Sequence, residues 1–74
     1  MLFCDLMEVL SPSYSIIELR ESKKNNLDTY YIGTANLKFL KTDRFSDLHN
    51  REIELVRICE NSEKADWVVI LKSL

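Results

Sequence analysis

Glycine and proline occur once each among the 74 residues, as Gly33 and Pro12, and histidine occurs once, as His49. With one histidine and no glycine-rich turn, the chain offers no oxyanion hole and none of the strand-turn-helix context of a nucleophile elbow. Cys4 and Cys59 are the only cysteines, far apart in sequence and outside any C-x-x-C pair. That spacing gives neither a zinc knot nor a thioredoxin-like site, and in a reducing compartment such cysteines serve as small apolar residues rather than as a disulfide. No stretch approaches the roughly 20 apolar residues of a membrane span. Residues 2–10 are interrupted by Asp5 and Glu8 with no basic residue ahead of them, which does not read as a secretory signal, so a cytoplasmic location is expected.

Hydrophobic residues make up 46% of the chain and charged residues 30%, the balance of a folded chain rather than a disordered one. The length suits one small globular domain, residues 1–74, with a core that supplies no more than about 3–5 kcal/mol. Metals and disulfides being disfavoured, the remaining supplement is a protein partner or a second copy of the chain. Trp67, Val68, Val69, Ile70 and Leu71 sharpen the point. Five apolar residues in a row leave a strand no polar face, and both sides require cover.

Leu2, Phe3, Leu6, Met7 and Leu10 recur at helical spacing, with Cys4, Asp5 and Glu8 opposite, which predicts a short helix stopped by Ser11, Pro12 and Ser13. From Tyr14 to Glu21 the period becomes two: Ser15, Ile17 and Leu19 share one face, Tyr14, Ile16, Glu18 and Arg20 the other. A polar run from Ser22 to Asn26 suits a hairpin connection into a second strand at Asp28 to Ala35, which Asn36 to Lys41 extends. Gly33 within that strand suggests a bulge, a bend or a close approach, a bend at a sheet corner being the simplest. Tyr30 and Tyr31 point to opposite faces, so only one can belong to the core.

Thr42 to Arg51 reads as a loop or a single helical turn with Phe45 and Leu48 inward. Glu52 to Glu60 and the apolar run at Trp67 then form a hairpin, joined by Asn61 to Asp66. Pairing Glu60 with Trp67 sets Val56 against Leu71 and Ile58 against Val69, and leaves Leu55, Arg57, Cys59, Val68, Ile70 and Lys72 on the reverse face. The expected fold is α+β: a short N-terminal helix packed on a four-stranded antiparallel sheet. The alternative is an all-β, five-stranded small barrel with residues 2–10 as a strand.

Asp43, Ser46, Asp47 and His49 are the one crowd of catalytic-type residues, but no base, nucleophile and oxyanion donor combine there, so no catalytic residue is assigned and the chain is read as a non-enzyme. Nor do Asp43, Asp47 and His49 match an EF-hand or zinc spacing, and Arg44 and Arg51 repel a cation, so no metal or cofactor is expected.

Two function classes remain. The first is a non-catalytic protein-interaction module docking through the reverse face, with Leu55, Val68, Ile70 and Tyr31, or through the edge of the C-terminal strand, onto a larger protein or onto itself as a homodimer. The scarcity of Gly and Pro beside plentiful Asn, Lys, Ile and Leu is typical of AT-rich genes, and small virus-encoded inhibitors that occupy a surface of a host or defence protein have this size. The second class is a small-ligand, nucleotide or single-stranded nucleic-acid binder using segment 36–51, with Lys38, Lys41, Arg44, Phe45, His49 and Arg51. Its arginine forks match phosphate geometry, and Phe39 and Phe45 would stack. The net charge of −2 argues against a nucleic-acid backbone as the partner, and the simpler account of the segment is core phenylalanines among solvated charges.

Overall fold

The computed structural model describes residues 1–10, 14–24, 28–59 and 64–73. The proposed stop at Ser11, Pro12 and Ser13, the tip at Asn25 and Asn26, and the first half of the connector that begins at Asn61 lie outside them. Helix α1 spans Phe3–Val9, strand β1 Ile16–Ser22, strand β2 Thr29–Asn36, helix α2 Leu37–Leu40, a 3-10 turn Asp43–Phe45, helix α3 Ser46–His49, strand β3 Ile53–Ile58 and strand β4 Trp67–Leu71.

The N-terminal helix forms as its periodicity requires, burying Phe3, Leu6 and Met7. Its first turn is capped from within: the Leu2 N–H donates to the Asp5 carboxylate at 3.2 Å, which also places a negative charge at the positive end of the helix. Residues 3–9 being helical, the five-stranded barrel is excluded. What remains of that alternative is one β-bridge between Leu2 and Glu52, in which the Phe3 N–H donates to the Arg51 carbonyl and the Ile53 N–H to the Met1 carbonyl.

The sheet has four strands in the order β2-β1-β4-β3 and is mixed rather than wholly antiparallel. The two hairpins are antiparallel, but β1 and β4 run parallel at the centre, with Ile17 beside Trp67, Leu19 beside Val69 and Glu21 beside Leu71. The C-terminal strand is therefore paired on both sides and has no free edge. Long apolar runs belong in the middle of a sheet, where neighbouring strands and layers enclose them.

Two residues clamp the parallel pair at its ends. At one end Asp66 makes two hydrogen bonds with the Ile16 backbone: its carboxylate accepts from the Ile16 N–H at 2.8 Å, and its own N–H donates to the Ile16 carbonyl at 2.8 Å. At the other, Arg51 Nη2 donates to the Glu21 carboxylate and, at 2.7 Å, to the Lys72 carbonyl.

The second hairpin pairs Ile58 with Trp67 and Val56 with Val69, two residues away from the register expected from the sequence. A shift of two keeps every side chain on its face, so the division into a core face and a reverse face survives. Ile58 lies at the margin and is 65% exposed. The expected extension of β2 through Lys41 is also corrected. Asn36 accepts from the Phe39 N–H at 2.7 Å, and this cap starts α2, whose Leu37 and Leu40 are buried.

Gly33 sits next to a bulge. The register passes from Leu19 opposite Gly33 to Arg20 opposite Tyr31, leaving Ile32 as the extra residue. Nothing lies within 4 Å of where a Cβ on Gly33 would stand, so the close approach considered for it is absent. Neither tyrosine enters the core: Tyr30 and Tyr31 are both more than half exposed.

All three helices lie on one face of the sheet. Phe3, Leu6 and Met7 from α1, Leu37 and Leu40 from α2, and Ile17, Leu19, Val69 and Leu71 from the central strands form one buried cluster, against which Phe45 and Leu48 pack as expected. Val68 and Ile70 alternate away from this cluster. Among the described residues no helix covers their side of the sheet.

Candidate functional site

The uncovered face is read directly from the pairing. Tyr31 opposes Arg20, Arg20 lies beside Ile70, and Ile70 opposes Leu55, so one row crosses the whole sheet as Tyr31, Arg20, Ile70, Leu55. The adjoining row is Thr34, Glu18, Val68, Arg57. The four residues expected on a partner-binding face thus fall in two neighbouring rows. Leu55 is 42% exposed and Tyr31 57%, whereas Ile70 is only 8% exposed and Val68 half-buried between their cross-strand neighbours.

Sequence reasoning placed Glu18, Arg20 and Arg57 on this side of their strands without assigning them a role. Arg20 holds the face together. Its Nε donates to the Thr29 hydroxyl, its Nη2 donates to the Thr29 carbonyl at 3.4 Å, and its Nη1 pairs with the Glu18 carboxylate at 3.3 Å. Its guanidinium carbon also stands 5.9 Å from the centre of the Tyr31 ring, while the Tyr31 hydroxyl shares a 2.6 Å hydrogen bond with Thr34. Arg57 makes no hydrogen bond or ion pair within the described residues. Glu18, Arg20, Asp28, Thr29, Arg57, Val68 and Ile70 line a shallow open concavity of about 360 Å³. Val68 and Ile70 are its apolar members, and two acids, two arginines and Thr29 make up the rest of its lining. Alternation at Glu18 and Arg20 was the sequence signal for this arrangement; Thr29 joins only through the bulge at Ile32, which restores its strand's facing.

The edges of the sheet differ from its face. The bulge at Ile32 interrupts β2, a second irregularity between Ile53 and Leu55 interrupts β3, and the Leu2 bridge occupies the outer side of β3 at Glu52 and Ile53. Such devices blunt strands against the addition of another.

Segment 36–51 is divided by the fold. Lys38 and Lys41 are exposed on and just after α2, and the Arg44 guanidinium carbon stands 5.8 Å from the centre of the Phe39 ring, which is 42% exposed. Phe45 meets Phe39 edge to face, with ring centres 5.0 Å apart, and packs against the core. His49 Nε2 is 2.8 Å from the Leu40 carbonyl, a bond that ties α3 to α2, and Arg51 serves the clamp on β1 and β4. Arg51 therefore stands apart from Lys38, Lys41 and Arg44 in its bonding, engaged by the sheet rather than presented to solvent.

Among the described residues no three of His, Cys, Asp and Glu gather as metal ligands, Cys4 and Cys59 are both free thiols, and no helix is long and apolar enough to cross a membrane. No protein-family model matches the chain, and no curated protein and no solved structure matches it.

Proposed function

We propose that this chain is a non-catalytic protein-interaction module whose docking surface is the uncovered sheet face. The observation that supports it is the pair of rows that place Tyr31, Leu55, Val68 and Ile70 together on a side that no helix covers among the described residues. Aromatic, aliphatic and arginine side chains at the centre of a mixed-charge patch are the usual material of protein interfaces. The blunted edges favour docking by the face over strand addition. One use of such a face, in a cytoplasmic protein of this size, is to occupy a surface of a larger target, as a virus-encoded inhibitor of a host or defence protein does.

Leu55→Asp and Ile58→Asp test this together, because they lie on one strand and face opposite sides. Each is immobilised beside the wild type and challenged with lysate of the cell of origin, and each is also sized by light scattering. A protein, or the chain itself, that is held by wild type and Ile58→Asp but lost with Leu55→Asp supports the face. Retention indifferent to Leu55→Asp overturns it, and so does a chain that captures nothing and stays monomeric at about 1 mM.

A second reading, supported by the exposed Phe39 beneath Arg44, is anion or single-stranded nucleic-acid binding on the α2 side with Lys38 and Lys41. Titration with nucleotides and short single-stranded DNA at low salt tests it, and the absence of any binding there removes it.

A further inference from the structure

Resting on the reading of the uncovered face as a docking surface, we infer that its occupant is a second copy of this chain, stacked face to face about a two-fold axis that runs along β4. The charges of the face are self-complementary about that line. Glu18 on β1 and Arg57 on β3 flank Val68 in one row, one strand to either side of β4. Rotation about an axis along β4 carries the Glu18 of each copy over the Arg57 of the other and sets Val68 on Val68 and Ile70 on Ile70. In the neighbouring row the same operation lays the stem of Arg20 over Leu55. Isologous contacts require this reciprocity, in which a residue meets its counterpart's complement twice.

Three further observations favour a second copy. Arg57 makes no ion pair among the described residues, so a carboxylate facing it gains a partner without breaking a bond. Glu18 engages Arg20 through one oxygen, Oε2, and the carboxylate has acceptor capacity left for a second guanidinium. The concavity carries two acids and two arginines, so copies of a chain with a net charge of −2 meet there without net repulsion. The stack follows the usual aligned packing of sheets, about 10 Å apart and rotated by about 30°, which tilts each β4 by about 15° from the two-fold axis. Five residues of β4 and the three strands β1, β4 and β3 that overlap about this axis give a patch roughly 17 by 14 Å. That is less than the roughly 800 Å² per partner of a standard interface, and the expected dissociation constant is on the order of 100 µM.

Sedimentation velocity from about 10 µM to 1 mM provides the test. Wild type dimerises and weakens as salt is raised, because the two Glu18–Arg57 contacts are attractive. Arg57→Glu raises the dissociation constant about tenfold or more and inverts the salt dependence, since like charges now face each other and screening helps. The double variant Ser46→Glu/Asn50→Glu makes the same change in net charge on the helix side and leaves the dissociation constant within about twofold. Mixing Arg57→Glu with Glu18→Lys restores association, both contacts in the mixed pair again being opposite in sign. Should Glu18→Lys fail to fold, the inverted salt dependence of Arg57→Glu alone decides. A wild type that stays monomeric across the range, or a dimer indifferent to Arg57→Glu, overturns the two-fold stack. If such a monomer still captures another protein through Leu55, the docking face stands and only its occupant was misassigned.

Discussion

The two faces of this sheet are built from the same strands and are used differently. On the helix side Ile17, Val69 and Leu71 are wholly or almost wholly buried against Phe3, Leu6, Met7, Leu37 and Leu40. One residue away along each strand, among the described residues, Glu18, Arg20, Val68 and Ile70 meet their cross-strand neighbours, one another in the Glu18–Arg20 ion pair and, through Arg20, the side chain and carbonyl of Thr29. The helix side is held by apolar burial, which is non-directional and removes large areas from water. The other is held by a guanidinium that reaches several acceptors while leaving aliphatic surface open. The described helices all pack on one side of the sheet, and the other side carries specific, polar bracing.

Substitutions that break this contrast should differ sharply in their effect on stability. The largest loss is expected for Phe3→Ala, which empties a fully buried site in the core cluster and costs about 3–5 kcal/mol, comparable with the whole stability of a small domain. Circular dichroism should find it unfolded or nearly so at 25 °C. Next come the clamps. Asp66→Ala removes the acceptor of the Ile16 N–H, and Arg51→Ala removes the bonds to Glu21 and Lys72; each should lower stability by about 1–2 kcal/mol in urea melts, partial exposure of these groups limiting the loss. Asn36→Ala removes the cap of α2 and should cost about 1 kcal/mol.

At the small end stand two changes that sharpen the comparison from the other side. Leu55→Asp, on the uncovered face, should shift stability by no more than about 0.5 kcal/mol while abolishing association; a collapse of the monomer instead would show that this face belongs to the fold. Gly33→Ala meets open space, so it should be neutral or stabilising by about 0.4–1 kcal/mol through the unfolded chain. A loss of more than 1 kcal/mol would mean that the adjacent bulge depends on glycine.

The alternation that separates the faces was legible in the sequence, because a period of two is imposed by the backbone and survives any register shift of two residues. So was α1, whose apolar residues fall on one helical face. Helix α2 was not read, although Leu37 and Leu40 lie three apart behind a capping Asn36; alternation of Leu37, Lys38 and Phe39 also fits a strand, and the decision was made by the tertiary site that buries both leucines. The parallel join was not read because pairing between hairpins leaves no local trace. Its one signal is the unbroken apolar run at Trp67, which marks a central strand rather than the docking edge expected from the sequence. The aliphatic members of the candidate face and the facing of Glu18 and Arg20 were legible in the alternation, whereas the bond from Arg20 to Thr29 depends on the bulge at Ile32, whose position no local pattern fixes.

The clamped parallel pair also orders the folding reaction in time. Each hairpin links residues close in sequence and can form in microseconds, but Ile17 and Trp67 must find each other across about two thirds of the chain before the sheet has a middle. Closing so long a loop delays the gain from the contacts it allows. The rate-limiting step should therefore be the meeting of two preformed hairpins. Substitutions at Leu19 or Val69 would slow folding, whereas those at the outer strands would chiefly hasten unfolding.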